Sequence, residues 1–209
     1  MPNHPEDRTI LAVDIEGFGS QARTNLVRVR LRRQLDRWCR AVLARAQASP
    51  EQWCAQDTGD GFVFSVDAHI PRNVLLGGFV VGLAQRLGRY NRTHPEPERI
   101  RLRVAMHAGD VLRDPYPIHG EATVLACRLL DSDVLRACLA ATGQSLAAIV
   151  SQTIYDNIVK QAYPPIDPLD WHPVMAVTKE GPRPAWVHMP GDVDGPRRAG
   201  VVTDRRYPA

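Results

Sequence analysis

The chain has 209 residues, 44% of them hydrophobic and 23% charged, with a formal net charge of +3. That length suits one domain with a sizeable core, and the charge is too small to argue for nucleic acid or a membrane surface as partner. A polar N-terminus without an apolar leader, and no run as long as a membrane span, lead us to expect a cytoplasmic protein.

Residues 1–7 read as a polar N-terminal segment, 8–190 as the domain and 191–209 as a flexible C-terminal tail rich in Gly, Pro, Asp and Arg. Arg8 to Ile15 is an apolar, β-branched strand carrying Asp14 near its end, followed by the turn Glu16-Gly17-Phe18-Gly19. From Asn25 to about Ala46 the residues Val27, Leu31, Leu35, Trp38 and Val42 recur at helical spacing, and arginines fill the other faces as a solvated surface. Trp53–Gln56 and Phe62–Val66 form a hairpin around Asp57-Thr58-Gly59-Asp60-Gly61, because Asp-Gly and its neighbouring glycine supply the turn. Pro71 opens a second helix to about Tyr90, and a polar loop leads to the strand Ile100–Val111. Helices follow at Glu121–Leu130 and Asp133–Ala141, then a short strand at Ile149–Val150 and a short helix near Ile154–Lys160. Val174–Thr178 and Trp186–Met189 close the domain as a hairpin. This order predicts an α+β sandwich, a mixed or antiparallel sheet with helices on one face.

Cys39, Cys54, Cys127 and Cys138 have no metal-ligand spacing. Cys39 and Cys138 lie in apolar helical patterns and are expected as buried free thiols, which fits a reducing compartment. Two acidic turns stand out instead. Asp14 ends a buried strand and Asp60 sits at a hairpin tip; if the strands are neighbours, the two carboxylates can share metals, as phosphoryl transfer requires. Amides of the Gly17–Gly19 turn can cradle phosphates. Taken singly, an aspartate in a glycine turn is more often only a turn former.

The ordered series is more specific. Val13-Asp14-Ile15-Glu16-Gly17-Phe18 resembles the first metal motif of class III adenylate and guanylate cyclases, and Gln56-Asp57-Thr58-Gly59-Asp60-Gly61 resembles their second. Arg103 to Gly109 looks like their next strand, Gly120 to Leu130 like their dimer-interface helix, and Val177-Thr178-Lys179-Glu180-Gly181 like their late phosphate-binding loop. The resemblance implies a ferredoxin-like cyclase sandwich, Mg²⁺ or Mn²⁺ held two per site by Asp14, Asp60 and the Ile15 carbonyl, and phosphate contacts from Gly17, Phe18 and Gly19. It gives Arg128 to the transition state and Lys179 to the terminal phosphates. It also implies a homodimer with shared sites, a nucleoside triphosphate substrate, and neither nucleic acid nor membrane as partner.

Three positions depart from the family pattern. Gln56 stands where lysine or glutamate reads the purine, Pro117 takes the second base-reading position, and Val124 replaces a ribose-positioning asparagine. The bacterial cyclases that make cyclic UMP or cyclic CMP in antiphage signalling diverge similarly, and Gln56 can both donate to and accept from a pyrimidine edge. Trp53 and Tyr116 are aromatic candidates to fill the space left by a smaller base. The alternative is a cyclase-like module that binds a nucleotide without turning it over.

Overall fold

The computed structural model describes residues 4–112 and 120–203. Seven strands form one sheet: β1 Pro5–Ile15, β2 Trp53–Asp57, β3 Gly61–Asp67, β4 Leu102–Leu112, β5 Leu146–Ser151, β6 His172–Thr178 and β7 Gly181–His188. Their order is β2-β3-β1-β4-β5-β7-β6, and every neighbouring pair is antiparallel except β4 with β5. The helices are α1 Asn25–Arg45, α2 Arg72–Gly77, α3 Leu83–Thr93, α4 Glu121–Leu130, α5 Asp133–Ala140, α6 Gln152–Ile154 and α7 Gly195–Arg198. A π-helical turn, Gly78–Gly82, joins α2 to α3, so the expected second helix is one path with a wider turn inside it. Strands β1 to β4 with α1 and α2–α3 make a βαββαβ unit in the order 2-3-1-4, the ferredoxin-like arrangement.

The α+β class and the mixed sheet match the expectation; helices on one face do not. Leu11, Val13, Phe64, Val104 and Met106 pack with α1 and α3 on one side, and Ile10, Ala12, Ala105 and Ile149 pack with α4 and α5 on the other. The run Ile10-Leu11-Ala12-Val13, apolar at consecutive positions, is the mark of a strand covered on both faces. Each packed face removes apolar surface from water at roughly 25 cal/mol per Å². Cys39 and Cys138 are buried and free, as their apolar settings predict.

Two ends differ from the sequence reading. Pro5–Asp7 extends β1 by pairing with Leu112, Val111 and Asp110 of β4, so the polar N-terminal segment joins the sheet from residue 5. Residues 191–203, expected within a loose tail, carry α7, and Val202 bridges Val174 of the edge strand β6. The Thr203 N–H donates to the Pro173 carbonyl at 2.9 Å, and Ala199 and Val201 pack on the second core. An edge strand with open backbone groups accepts such a segment readily. β7 also starts earlier than expected. Pro182 and Pro184 pair only with β6, because β5 joins β7 from Ala185 onward, so their missing N–H groups face no partner strand.

Candidate active site

Asp14 lies opposite Gly61 in the β1–β3 pair, and the Ile15 N–H donates to the Asp60 carbonyl at 3.1 Å. The end of β1 that carries Asp14 therefore lies beside the turn that carries Asp60, just ahead of β3. Gly61 is the residue that allows it: a Cβ there would stand 1.9 Å from the Val13 carbonyl oxygen. Asp14 alternates with Ile10 and Ala12 and so faces the α4 side of the sheet.

Asp14 is buried, with 5% of its surface exposed. Burial is the main cause that lifts its carboxyl from the ordinary 3.8 to about 6. Arg103, on the neighbouring β4, opposes that shift, donating through Nε at 2.9 Å and through Nη2 to the second carboxylate oxygen. The charges of Asp60 and Asp131 push it up again. Two carboxylates and a backbone carbonyl offer the hard oxygen ligands that Mg²⁺ or Mn²⁺ takes. That donor set, with Arg103 occupying the Asp14 carboxylate when no metal is bound, fits the metals that the fold implies. Among the described residues no cluster of three or more His, Cys, Asp or Glu forms a cage. Such a pair would leave remaining coordination to phosphate oxygens and water, the usual arrangement for Mg²⁺.

Both turns beside Asp14 are held by arginines of α1, which the sequence reading placed on a solvated face. Arg32 pairs with both carboxylate oxygens of Asp57 (2.8 and 2.5 Å), reaches the Gly59 carbonyl, and lies over the Phe62 ring with its guanidinium carbon 4.3 Å from the centroid. Arg28 donates to the carbonyls of Gly19 and Ser20, each at 3.2 Å. In the Gly17–Gly19 turn, Gly17 has φ +61°, a conformation that favours glycine. Phe18 packs against the core, and its N–H already bonds the Ile15 carbonyl at 3.2 Å. One of the amides expected to cradle phosphate is thus used inside the turn, while that carbonyl keeps a second lone pair for a metal.

A cleft of about 730 Å³ opens between α4, the β2–β3 hairpin and the tip of the β6–β7 hairpin, within the range of ligand cavities. Its lining brings together Gln56, Val124 and Arg128 of α4, and Lys179, from three distant parts of the chain. Asp14 and Asp60 do not line it, but Asp131, one turn beyond Arg128, does. Arg128 is ion-paired with Glu180, next to Lys179 in the hairpin. Val124 and Val177 stand at the cleft 42% and 72% exposed. Pro117 and Tyr116 lie outside the described residues. Trp53 is no part of the cleft lining; it packs on the core with its ring 6.0 Å from that of Phe64. Arg103, Asp131, Arg32 and Glu180 were not singled out from sequence. Only Arg103 had a visible signal there, an arginine alternating with apolar residues of β4 beside a carboxylate strand.

No protein-family model matches the chain. A curated relative, the serine/threonine-protein kinase pkn2 of Myxococcus xanthus, is 29% identical over 119 residues, which is 56% of this chain and 13% of the relative. The chain thus spans a small part of that protein's length. The solved structures are more informative. An adenylate/guanylate cyclase/hydrolase from Silicibacter pomeroyi superposes with a TM-score of 0.63 at 21% identity, over 90% of this chain and 98% of that one. This is the class III cyclase fold. The guanylate cyclase domain of RhGC from Catenaria anguillulae, solved in complex with GTP, gives 0.57 at 16% identity over 88% and 96%. The catalytic core of a rhodopsin-guanylyl cyclase with converted specificity, solved with ATPαS, gives 0.60 at 15% over 90% and 98%. Among the described residues of this cyclase-fold chain, no helix is long and apolar enough to cross a membrane.

Proposed function

We propose that the chain is a nucleotidyl cyclase, converting a nucleoside triphosphate to a 3′,5′-cyclic nucleotide and pyrophosphate. The observation that carries this reading is Asp14 beside the Asp60 turn, with Asp14 facing the same side of the sheet as a cleft holding Gln56, Arg128 and Lys179. Asp14, Asp60 and the Ile15 carbonyl would hold two Mg²⁺ or Mn²⁺ ions, which would supply positive charge to the attacking and leaving oxygens. Arg128 offers a planar, permanent charge to the pentavalent phosphorus, and Lys179 a point charge to the terminal phosphates. For Arg128 to do so its pairing with Glu180 must give way to phosphate.

The chain acts as a homodimer in this reading, metal carboxylates of one copy facing the cleft of the other. The support is that the cleft is lined by the cations but not by Asp14 or Asp60, and that its rim exposes Val124 and Val177. The base is a pyrimidine, because Gln56, half-buried in the cleft, is neither the lysine nor the glutamate of the purine cyclases, and a cyclic pyrimidine nucleotide would suit antiphage signalling. One observation favours a second reading, a nucleotide-binding module without turnover: Val124 presents an apolar surface where the ribose should be oriented, and orientation is a large part of such catalysis.

The decisive experiment incubates purified protein with Mn²⁺ and each of the four ribonucleoside triphosphates and seeks cyclic products by mass spectrometry. Cyclic UMP or cyclic CMP is the expected product. Efficient cyclic AMP formation with pyrimidines ignored would refute the base assignment, and binding without any product would establish the second reading.

A further inference from the structure

Thr123 lies on α4, one residue from Val124, and lines the cleft. Its residue is 8% exposed, its Oγ1 is buried, and that oxygen makes no hydrogen bond among the described residues. A helical threonine usually returns its hydroxyl to a carbonyl of the preceding turn. A buried hydroxyl without a partner is unfavourable, and natural proteins rarely keep one without a reason.

The position within the cleft indicates which part of a ligand the hydroxyl would meet. The charged residues Arg128, Asp131 and Lys179 gather at the C-terminal half of α4 and the hairpin tip; Gln56, Val63 and Thr123 gather at its N-terminal half and the β2–β3 hairpin. From Thr123 to Arg128 the helix rises roughly 7–8 Å at 1.5 Å per residue. A nucleotide has the same polarity, with charge at the phosphate end and an uncharged, hydrogen-bonding edge at the base. We infer that Thr123 is a specificity-determining residue whose hydroxyl hydrogen-bonds the nucleobase alongside the Gln56 amide. Both groups can donate and accept, so together they supply the second polar contact that a base-reading site needs and that Pro117 has no side-chain donor to give. This rests on the nucleotide reading above.

The test uses the full chain and the four 3′-deoxynucleoside triphosphates, which lack the attacking hydroxyl and so report binding without turnover, with tripolyphosphate as a probe of the charged end alone. Thr123→Val should raise the melting temperature of the ligand-free protein by roughly 2–4 °C, since it replaces an unpartnered hydroxyl with a methyl. It should weaken the preferred triphosphate by about tenfold and narrow the spread among the four bases, while leaving tripolyphosphate affinity unchanged. Thr123→Ser should keep the discrimination. Unchanged base ratios in Thr123→Val, equal weakening of tripolyphosphate, or a lowered melting temperature would overturn the inference while leaving the nucleotide reading in place. A wild-type chain that binds none of the four would overturn both.

Discussion

Asp14 is a carboxylate in a place that disfavours its charge. Burial lifts its pKa to about 6 despite two contacts from Arg103, so the folded chain holds the proton more tightly than the unfolded chain does. Between about pH 4 and pH 6 the native state binds more protons, and the contribution of Asp14 to stability falls as pH rises through that window. The metal-free stability difference between wild type and Asp14→Asn should therefore move in the variant's favour by on the order of 1–3 kcal/mol from pH 4 to pH 7.5. Urea melts at the two pH values measure this, and a pH-independent difference would count against it. Mn²⁺, which requires the ionised form, should raise the melting temperature of the wild type and not of the variant. Asp60→Ala belongs to the same scale. It should cut turnover by at least about 10²-fold, because a metal ligand is lost. The fold should hold, because like-charge repulsion with Asp14 is relieved. Activity assays beside a thermal melt test both halves.

At the scale of elements, the hairpin tip that carries Asp60 is fixed from outside, by Arg32 on α1. The pair is bidentate and the Arg32 side chain is 16% exposed, but Asp57 is 64% exposed and water screens it, so the geometry and the Phe62 contact, more than burial, set its worth. Arg32→Ala should cost about 1 kcal/mol of stability, speed amide hydrogen exchange across residues 57–61, and reduce turnover. Arg32→Lys should not restore it, since a single ammonium cannot make the planar, two-pronged contact. Exchange rates at the turn indistinguishable from wild type would show that Arg32 is only a surface charge. The arginine spacing on α1 was legible, but its purpose was not. A helical period reports which face is polar, whereas the partner of each polar group is fixed by which turn happens to pack beside it. The same holds for helix coverage: the consecutive apolar residues of β1 declared two covered faces, yet the order of elements alone pointed to one.

For the whole molecule, the separation of the cleft from the metal carboxylates is the feature that a dimer would resolve. Mixing Asp14→Ala chains with Arg128→Ala chains should restore activity. With random reassortment half of the dimers are mixed and each holds one intact site of two, giving about a quarter of the wild-type rate. No recovery, or full activity in a strictly monomeric preparation, would rule out shared sites.

The division between what the chain alone declares and what folding adds follows from the range of the forces involved. Strand and helix periods, the glycines at 17 and 61, and the carboxylates set in two glycine turns are local properties, written in neighbouring residues; they were enough to single out Asp14 and Asp60, while the family resemblance supplied Arg128 and Lys179. The ion pairs of Arg103 with Asp14, Arg32 with Asp57 and Arg128 with Glu180, and the docking of residues 191–203 on β6, join positions from 25 to 89 residues apart, and no local pattern encodes them. The unsatisfied hydroxyl of Thr123 is of the same kind. Burial and the lack of a partner are properties of a packed environment, and they exist only once the sheet, α4 and the two hairpins have closed around one cleft.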